Sequence, residues 1–477
     1  MTMAQQVIPV VRQLDQDHKT DLVKLFRRLR HLPYCVWLDS ASDHQHDRGR
    51  YSFLTADPVA WCRADMTSPD PWPLLRQWCR GLQHRPLDTQ TLPPFCGGLV
   101  GMIAYEAAWW LEPALRPPPE QVPPEIPGMA LGLYDWTIAV DHRLEQVWLL
   151  STGLSETFEI DRERATKRAD QVMGWIAADP CEPDSAAPPN PHSSAGVTSN
   201  FTDEQFARSV AEIIEGIREG DTFQVNLAQT LTRRATCPAK SLYERLRLVN
   251  PAPYAAYFDC GAYQVLSSSP EGFLQVRIEE GQRVVVTRPI KGTVRRTGDK
   301  SEDARLGGEL LASEKDRAEN IMIVDLMRND LSRVCEDQSV EVTGLCELES
   351  YQRVQHLVST VRGVLCPDSD MTDLLAACFP GGSITGAPKV EAMRTIARLE
   401  KRPRGAYCGS LGYVSLSGAA DFNILIRTVT ERLREDGSAA WEFPVGGGIT
   451  ARSDPQEETE ETWVKAASLL EAIEAAG

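Results

Sequence analysis

The chain has 477 residues, with 50 Lys and Arg against 67 Asp and Glu, so its formal net charge is −17; apolar residues make up 42% and charged residues 25%. This composition excludes a disordered or fibrous chain and leaves apolar surface for one large core or two. The acidic balance argues against nucleic acid as the main partner, because a phosphate-binding face needs clustered Lys and Arg.

The 12 cysteines are dispersed, without a CxxC pair or zinc spacing, and no apolar leader opens the chain. The most apolar stretch, Gly97 to Leu111, is interrupted by Glu106 and is too short to span a bilayer. A cytoplasmic protein with reduced thiols, away from membranes, is expected.

In chain order, Val36–Asp39 and Gln146–Leu150 read as short strands in a first half that holds 9 of the 11 tryptophans. Arg116 to Pro127 is proline-rich and reads as a loop. Ala178 to Gly196 has almost nothing to bury and reads as a linker, dividing the chain into regions 1–190 and 191–477. Thr202 to Gly220 carries a capping box (Thr202, Gln205), apolar residues at helical spacing and a terminal glycine. Tyr254–Asp259 and Tyr263–Ser267 flank Cys260-Gly261 as a hairpin, and Val284–Val286 is a strand running into Arg288-Pro289. Ser313 caps a helix towards Met327, and Pro388 sits in the first turn of a helix reaching Leu399. Gly412–Leu416 and Ile424–Val429 read as paired strands, and Ser453 with Pro455 opens a C-terminal helix. Without strict βαβ alternation, the expected class is α+β.

Asp316 and Glu319 fall at i, i+3 on the helix after Ser313. Glu458 and Glu461 do the same on the last helix, with Lys465 one turn further on. Carboxylates from two helices suit a Mg²⁺ that keeps waters and substrate oxygens in its shell, although a solvated helix face gives the same pattern. Gly381-Gly-Ser-Ile-Thr-Gly-Ala-Pro-Lys389 is a glycine-rich turn entering a helix N-terminus, where free N–H groups attract anions. It is not a Walker A loop, since Ala-Pro-Lys follows Gly386; a carboxylate suits it as well as a phosphate. Gly446-Gly447-Gly448 would let backbone approach a ligand closely. Lys291 ends a β-branched strand, where desolvation makes an amine nucleophilic. Glu271 follows another strand end and becomes a general acid if burial raises its pKa. His356, Tyr407 and Arg427 lie inside strand-like runs and read by default as satisfied core side chains.

Together these segments resemble the chorismate-utilising enzyme family over essentially all of 200–470. The motifs that carry the likeness include Gly220-Asp-Thr-Phe-Gln-Val-Asn226, Ser269-Pro-Glu271, Pro289-Ile-Lys-Gly-Thr293 and the run Asp316 to Asp330. They continue through His356-Leu-Val-Ser-Thr360, Phe379 to Lys389, Ile426-Arg-Thr428 and Glu458-Thr-Glu-Glu461, with a weaker likeness at Phe95 to Gly101. The resemblance implies an anthranilate-synthase-component-I-like α+β fold: two packed, largely antiparallel sheets flanked by helices.

Family members that add water at C2 of chorismate carry a lysine where this chain has Gln224. Members that make anthranilate have Pro-Ile-Ala-Gly-Thr where it reads Pro-Ile-Lys-Gly-Thr. The resemblance therefore implies the aminodeoxychorismate-forming branch, the entry to p-aminobenzoate and folate, with the anthranilate-forming branch as the alternative. On that reading Lys291 attacks C2, Glu271 protonates the departing C4 hydroxyl, and ammonia enters at C4. The resemblance also implies Mg²⁺ on Glu319 and Glu461, with Asp316 and Glu458 near or behind them. Tyr407, Arg427 and the backbone of Gly446, Gly447 and Gly448 would hold the enolpyruvyl carboxylate, while Thr385, Gly386, Gln224, His356 and Lys465 line the pocket.

No Gly-x-Cys-x-Gly turn with a downstream His-x-Glu marks a glutaminase, and no lyase segment follows the last helix. Ammonia from a separate glutamine amidotransferase subunit, and 4-amino-4-deoxychorismate as product, are what the resemblance implies. Leu38-Asp-Ser40, with Pro251 and Tyr254, resembles the family's tryptophan site, whose pattern is Leu-x-Glu-Ser. Asp39 replaces that glutamate, so tryptophan bound structurally, without feedback control, is the expectation.

Overall fold

A computed structural model of the chain describes residues 9–14, 21–41, 49–82, 92–117, 127–178, 196–351, 354–433 and 437–474. The segments read as linker and proline-rich loop lie, apart from their ends, outside the described residues. Two antiparallel sheets organise the rest. One has twelve strands and passes from Val10–Gln13 through Gln146–Ser151, Trp136–Asp141, Tyr51–Thr55 and Val36–Asp39. It continues into Tyr254–Asp259, Tyr263–Ser269, Thr428–Leu433, Ala439–Ile449, Gln224–Arg234 and Gly386–Ala387, with Thr198–Ser199 paired beside Gln224–Arg234. The other has ten strands, from Ile290–Arg295 and Val354–Val364 through Gln282–Thr287, Gly272–Glu279, Ala420–Asn423 and Ser410–Ser415 to Gly98–Ile103, Pro127–Tyr134 and Ala60–Asp65; Glu341–Ser350 pairs with Val354–Val364. Strands from both sides of residue 190 share each sheet. The α+β class and the two largely antiparallel sheets are as expected from sequence.

Period-2 alternation decides which core each strand residue enters. Val36 and Phe258 point into the core between the sheets, where they join Val100, Phe273 and Leu411 of the second sheet. Their neighbours Trp37 and Tyr257 point the other way, under helices Leu22–Leu29, Ala239–Val249 and Pro455–Glu474. A third cluster seats helices Asp203–Glu219 and Lys389–Glu400 on the strand bearing Val225 and Leu227. Among the described residues no helix is long and apolar enough to cross a membrane.

The capping signals are realised: Thr202 and Gln205 form the capping box, Gly220 closes that helix at φ 93°, and Ser313 accepts the Asp316 N–H at the start of Glu314–Ser332. The hairpin Tyr254–Asp259/Tyr263–Ser269 forms as expected, with Asp259 opposite Gln264 and the Cys260 N–H donating to the Tyr263 carbonyl, which puts Gly261-Ala262 at its tip. Two expectations change. Pro388 is the N-cap of Lys389–Glu400, with extended ψ 141°, rather than a residue of the first turn. Gly412–Leu416 does not pair with Ile424–Val429. Strand Ser410–Ser415 pairs with Ala420–Asn423, and Thr428–Leu433 pairs with Tyr263–Ser269 in the other sheet. Between them the chain crosses from sheet to sheet, with Arg427 at φ 52° making the turn. Two short apolar runs cannot reveal from their own sequence that the chain changes sheets between them.

Candidate active site

The site lies where the ends of both sheets meet two helix faces. Strand Gln224–Arg234 pairs with Gly386 at Val225 and with the glycine run at Asn226↔Gly448, Leu227↔Gly447 and Ala228↔Gly446. A Cβ on Gly446 would lie 2.2 Å from the Leu227 carbonyl oxygen, so only glycine lets these strands meet. A Cβ on Gly447 would lie 3.0 Å from Lys465 Nζ and 3.4 Å from Glu458 Oε2; one on Gly448 would lie 2.8 Å from Gln224 Nε2 and 3.3 Å from Lys291 Nζ. The glycine run thus exposes bare backbone between the last helix on one face and Gln224 and Lys291 on the other. Gly386, at φ 138°, is held against the Gln224 carbonyl in the same way.

Lys291 reaches this point through a bulge. It pairs with Leu357 while Thr293 pairs with His356, and the register shifts at Gly292, whose φ is 77°. Bulges re-aim side chains at sheet edges. This one packs on the start of helix Glu314–Ser332, where a Cβ on Gly292 would come within 3.0 Å of Asp316 Cβ. Lys291 Nζ lies 3.4 Å from the Ser383 carbonyl oxygen. Burial pushes its ammonium below the ordinary lysine range, while the Glu319 and Glu271 carboxylates oppose that shift.

Glu271 is buried at the end of strand Tyr263–Ser269, with its carbonyl accepting the Ile424 N–H at 3.0 Å. Burial pushes its carboxyl up to about 7, against the pull of the Ser383 hydroxyl, Lys291 and the Ile290 N–H. A carboxylic acid raised to neutrality beside a lysine pushed down is an arrangement for acid and nucleophile chemistry in one place. Ser383, whose carbonyl faces Lys291 and whose hydroxyl influences Glu271, was not singled out from sequence, although it sits inside the glycine-rich turn.

The two acid-bearing helices converge on the same point. Burial raises Glu319, with Lys291 and Lys315 opposing and Asp316 and Glu461 adding to the rise. Burial also raises Glu458, which accepts the Ser453 hydroxyl at 2.6 Å and has Lys315 Nζ at 3.8 Å. Burial acts to raise Glu461 too, but Lys465, 2.9 Å away, overrides it and holds the carboxyl low. Asp316 is tied to its helix cap: its Oδ2 accepts the Ser313 hydroxyl at 2.5 Å. Among the described residues no three His, Cys, Asp or Glu side chains are gathered tightly enough to hold a metal ion by themselves.

Lys465 Nζ donates to the Gly446 carbonyl at 3.0 Å, and Arg427 donates to the Lys465 carbonyl. Burial lowers the Arg427 pKa, with Tyr407 and Glu461 close enough to oppose it. Gln224 is 0% exposed, and neither its amide nitrogen nor its amide oxygen has a protein partner. An orphaned amide at that depth, beside the lysine, is poised for a ligand atom. Thr385 is also buried; its hydroxyl donates to the Gly381 carbonyl at 2.9 Å, which keeps its lone pairs available. His356 Nδ1 lies 2.8 Å from Thr293 Oγ1, one register step from Lys291.

The remaining predicted group lies apart. Ser40 and Tyr254 line a separate cavity of about 400 Å³ between the sheets, with Arg50, Tyr51 and Asp421; Pro253, not Pro251, is in its wall. Asp39 also borders it, but its carboxylate accepts Arg247 Nε at 2.7 Å and the Tyr243 hydroxyl at 3.2 Å.

A family profile described as chorismate binding enzyme matches residues 33–471. The chain is 36% identical to anthranilate synthase component 1 of Synechocystis sp., over 98% of this chain and 96% of that protein. It is also 36% identical to aminodeoxychorismate synthase component 1 of Escherichia coli, over 94% of this chain and 95% of that protein. In structure it resembles anthranilate synthase component I from Streptococcus pneumoniae, with a TM-score of 0.72 and 29% identity over 88% of this chain and 92% of that one.

Proposed function

We propose, from the premise that the chain belongs to the chorismate binding enzyme family, that it is the synthase component that aminates chorismate at C4 to give 4-amino-4-deoxychorismate. Overall identity does not separate this reading from anthranilate synthesis, since relatives of both names are 36% identical to the chain. The observation that carries it is Lys291, a desolvated amine beside the raised acid Glu271 and against the bare backbone at Gly448.

In this reading the neutral Lys291 amine forms a bond to C2 of chorismate. Both ring double bonds shift by one position, and the C4 hydroxyl leaves as water with the proton of Glu271. Ammonia then adds at C4, both double bonds shift back as the Lys291 amine is expelled from C2, and the new C4 ammonium returns a proton to Glu271, so lysine and acid are both regenerated. Blocking C2 is what sends ammonia to C4; without the lysine, ammonia attacks C2, which leads to anthranilate. Arg427, Tyr407 and the N–H groups of Gly446–Gly448 bind the enolpyruvyl carboxylate, with Lys465 fixing that strand. Gln224, Thr385, Gly386 and His356 bound the ring.

The acids fit Mg²⁺. It needs only one or two protein carboxylates and keeps water and substrate oxygens in the rest of its shell, so Glu319 and Glu461 suffice without a closed protein cage. Glu458 stands behind them on Ser453, and Asp316 orders the helix start. When bound, the ion supplies positive charge that orients the ring carboxylate and relieves the repulsion between these acids. Chelation with EDTA is expected to abolish turnover and Mg²⁺ to restore it. Glu319→Gln should raise the Mg²⁺ concentration for half-maximal rate by about tenfold or more, since loss of even an outer-shell partner of a ligand costs about 10–100-fold in metal affinity. An unchanged Mg²⁺ requirement removes Glu319 from the site.

Ammonia reaches the enzyme from a glutamine amidotransferase subunit, and the enzyme acts in the cytoplasm. The second cavity takes a flat aromatic amino acid such as tryptophan as a structural ligand. With Asp39 committed to Arg247 and Tyr243, that ligand does not act as a feedback inhibitor. The deciding experiment incubates the purified chain with chorismate, Mg²⁺ and an ammonium salt and identifies the product by chromatography. A 4-amino-4-deoxychorismate peak supports the reading; fluorescent anthranilate, formed without any added lyase, assigns the chain to the other branch.

A further inference from the structure

Behind the cleft lies a buried ionic cluster that the reaction above does not use. Arg404 is 6% exposed and follows the helix Lys389–Glu400. Its guanidinium donates to both oxygens of Glu400, at 2.6 and 2.9 Å, to the Ile384 carbonyl at 3.0 Å and to the Asn226 carbonyl at 2.8 Å. It lies over the Tyr105 ring at 4.7 Å and the Tyr407 ring at 5.7 Å. Glu400 in turn accepts the Ala228 N–H at 2.9 Å. From the first half of the chain Glu106, 1% exposed, accepts the backbone N–H groups of Arg404 at 2.6 Å and Gly405 at 2.9 Å.

Each of these partners leads to a different wall of the cleft. Ile384 precedes Thr385 and Gly386 in the glycine-rich turn. Asn226 and Ala228 lie on the strand of Gln224, opposite Gly448 and Gly446. Tyr407 lies beside Arg427. We infer that Arg404 is a positioning residue for the substrate side of the cleft: one guanidinium, held by Glu400 and by the Glu106-anchored peptide, sets the glycine-rich turn, the Gln224 strand and Tyr407 relative to one another. The inference rests on the reading above, in which those three walls contact chorismate. The planar fork is what the job requires, because a lysine ammonium can balance Glu400 but cannot reach two separate carbonyls in the same plane. Glu106, on the other half of the chain, fixes where the fork stands.

Arg404→Lys keeps the charge opposite Glu400, and Glu106→Gln keeps one of two acceptors for the 404–405 peptide; both are chosen over alanine so that the core stays filled. The walls bind chorismate equally before and during reaction, so their misplacement raises KM and spares kcat. Arg404→Lys is expected to raise KM for chorismate by about tenfold or more with kcat within about threefold. Amide hydrogen exchange should quicken in residues 224–228, 384–387 and 406–409 and stay unchanged in the remote helix Leu22–Leu29. Glu106→Gln should give the same pattern to a smaller degree. Unchanged KM and exchange in both variants overturn the inference. So does faster exchange throughout the molecule with kcat and KM altered together, since that is general loosening. If the unmodified protein does not turn over chorismate, the functional reading falls, and the exchange pattern alone decides whether Arg404 orders these three segments.

Discussion

Lys291→Ala is expected to lower 4-amino-4-deoxychorismate formation by at least about 10³-fold, the scale on which loss of a covalent nucleophile acts. The side chain is placed by the Gly292 bulge and faces Ser383, Gly448 and Gln224, so alanine leaves a gap at the reacting carbon without disturbing the fold. Binding of chorismate, measured by calorimetry, should change far less than the rate, because Arg427, Tyr407 and the glycine run stay in place. The residual product should shift towards anthranilate, since C2 is then open to ammonia. A variant that keeps the wild-type rate and product removes Lys291 from the chemistry and leaves the amine as a charge near the acids.

Glu271→Gln is expected to lower kcat by roughly 10²–10⁴-fold, the usual contribution of a positioned general acid. Its pH signature is more specific than its size. Burial holds the folded-state carboxyl up at about 7, so the acid form that donates the proton is present below that value and is lost above it. Through this group, rates expressed per unit of free ammonia should therefore fall about tenfold per pH unit above about pH 7. In the glutamine variant this alkaline limb should disappear, because an amide does not titrate. The Lys291 amine, which must be neutral to attack, imposes a limb of opposite sign, and burial shifts that limb downward from the ordinary lysine range. If Glu271→Gln retains the limb, the titrating group is another one.

The helix ends and the hairpin were legible because their determinants are local. Thr202, Gln205 and Gly220 carry the caps of one helix, Ser313 that of another, and Gly261, at φ 82°, the turn between two strands. The sheet change between Asn423 and Thr428 was not legible, since nothing in those residues says which of two apolar strands is the partner. The carboxylate pairs at i, i+3 could be read from helical periodicity, whereas the expectation that the two helices bring them together came only from the family resemblance. Glu106 was visible only as an interruption in an apolar stretch. Its partners, the N–H groups of Arg404 and Gly405, lie about three hundred residues away in sequence. Ser383 and Lys315 were missed because a serine in a glycine turn and a lysine beside an aspartate are too common to signal anything alone.

The sequence by itself determined the family, through ordered motifs from Gln224 to Glu461, and it marked Lys291 as the position where this chain departs from the anthranilate-forming pattern. It also determined the residue types available for acid, nucleophile and metal chemistry. Only the tertiary structure decided their electrostatic states. A glutamate's carboxyl rises to about 7, and a lysine's ammonium falls below its ordinary range, when other segments of the chain exclude water from them. At Glu271 and Lys291 that exclusion comes from strands and turns far apart in sequence, closing on one another around the glycine run.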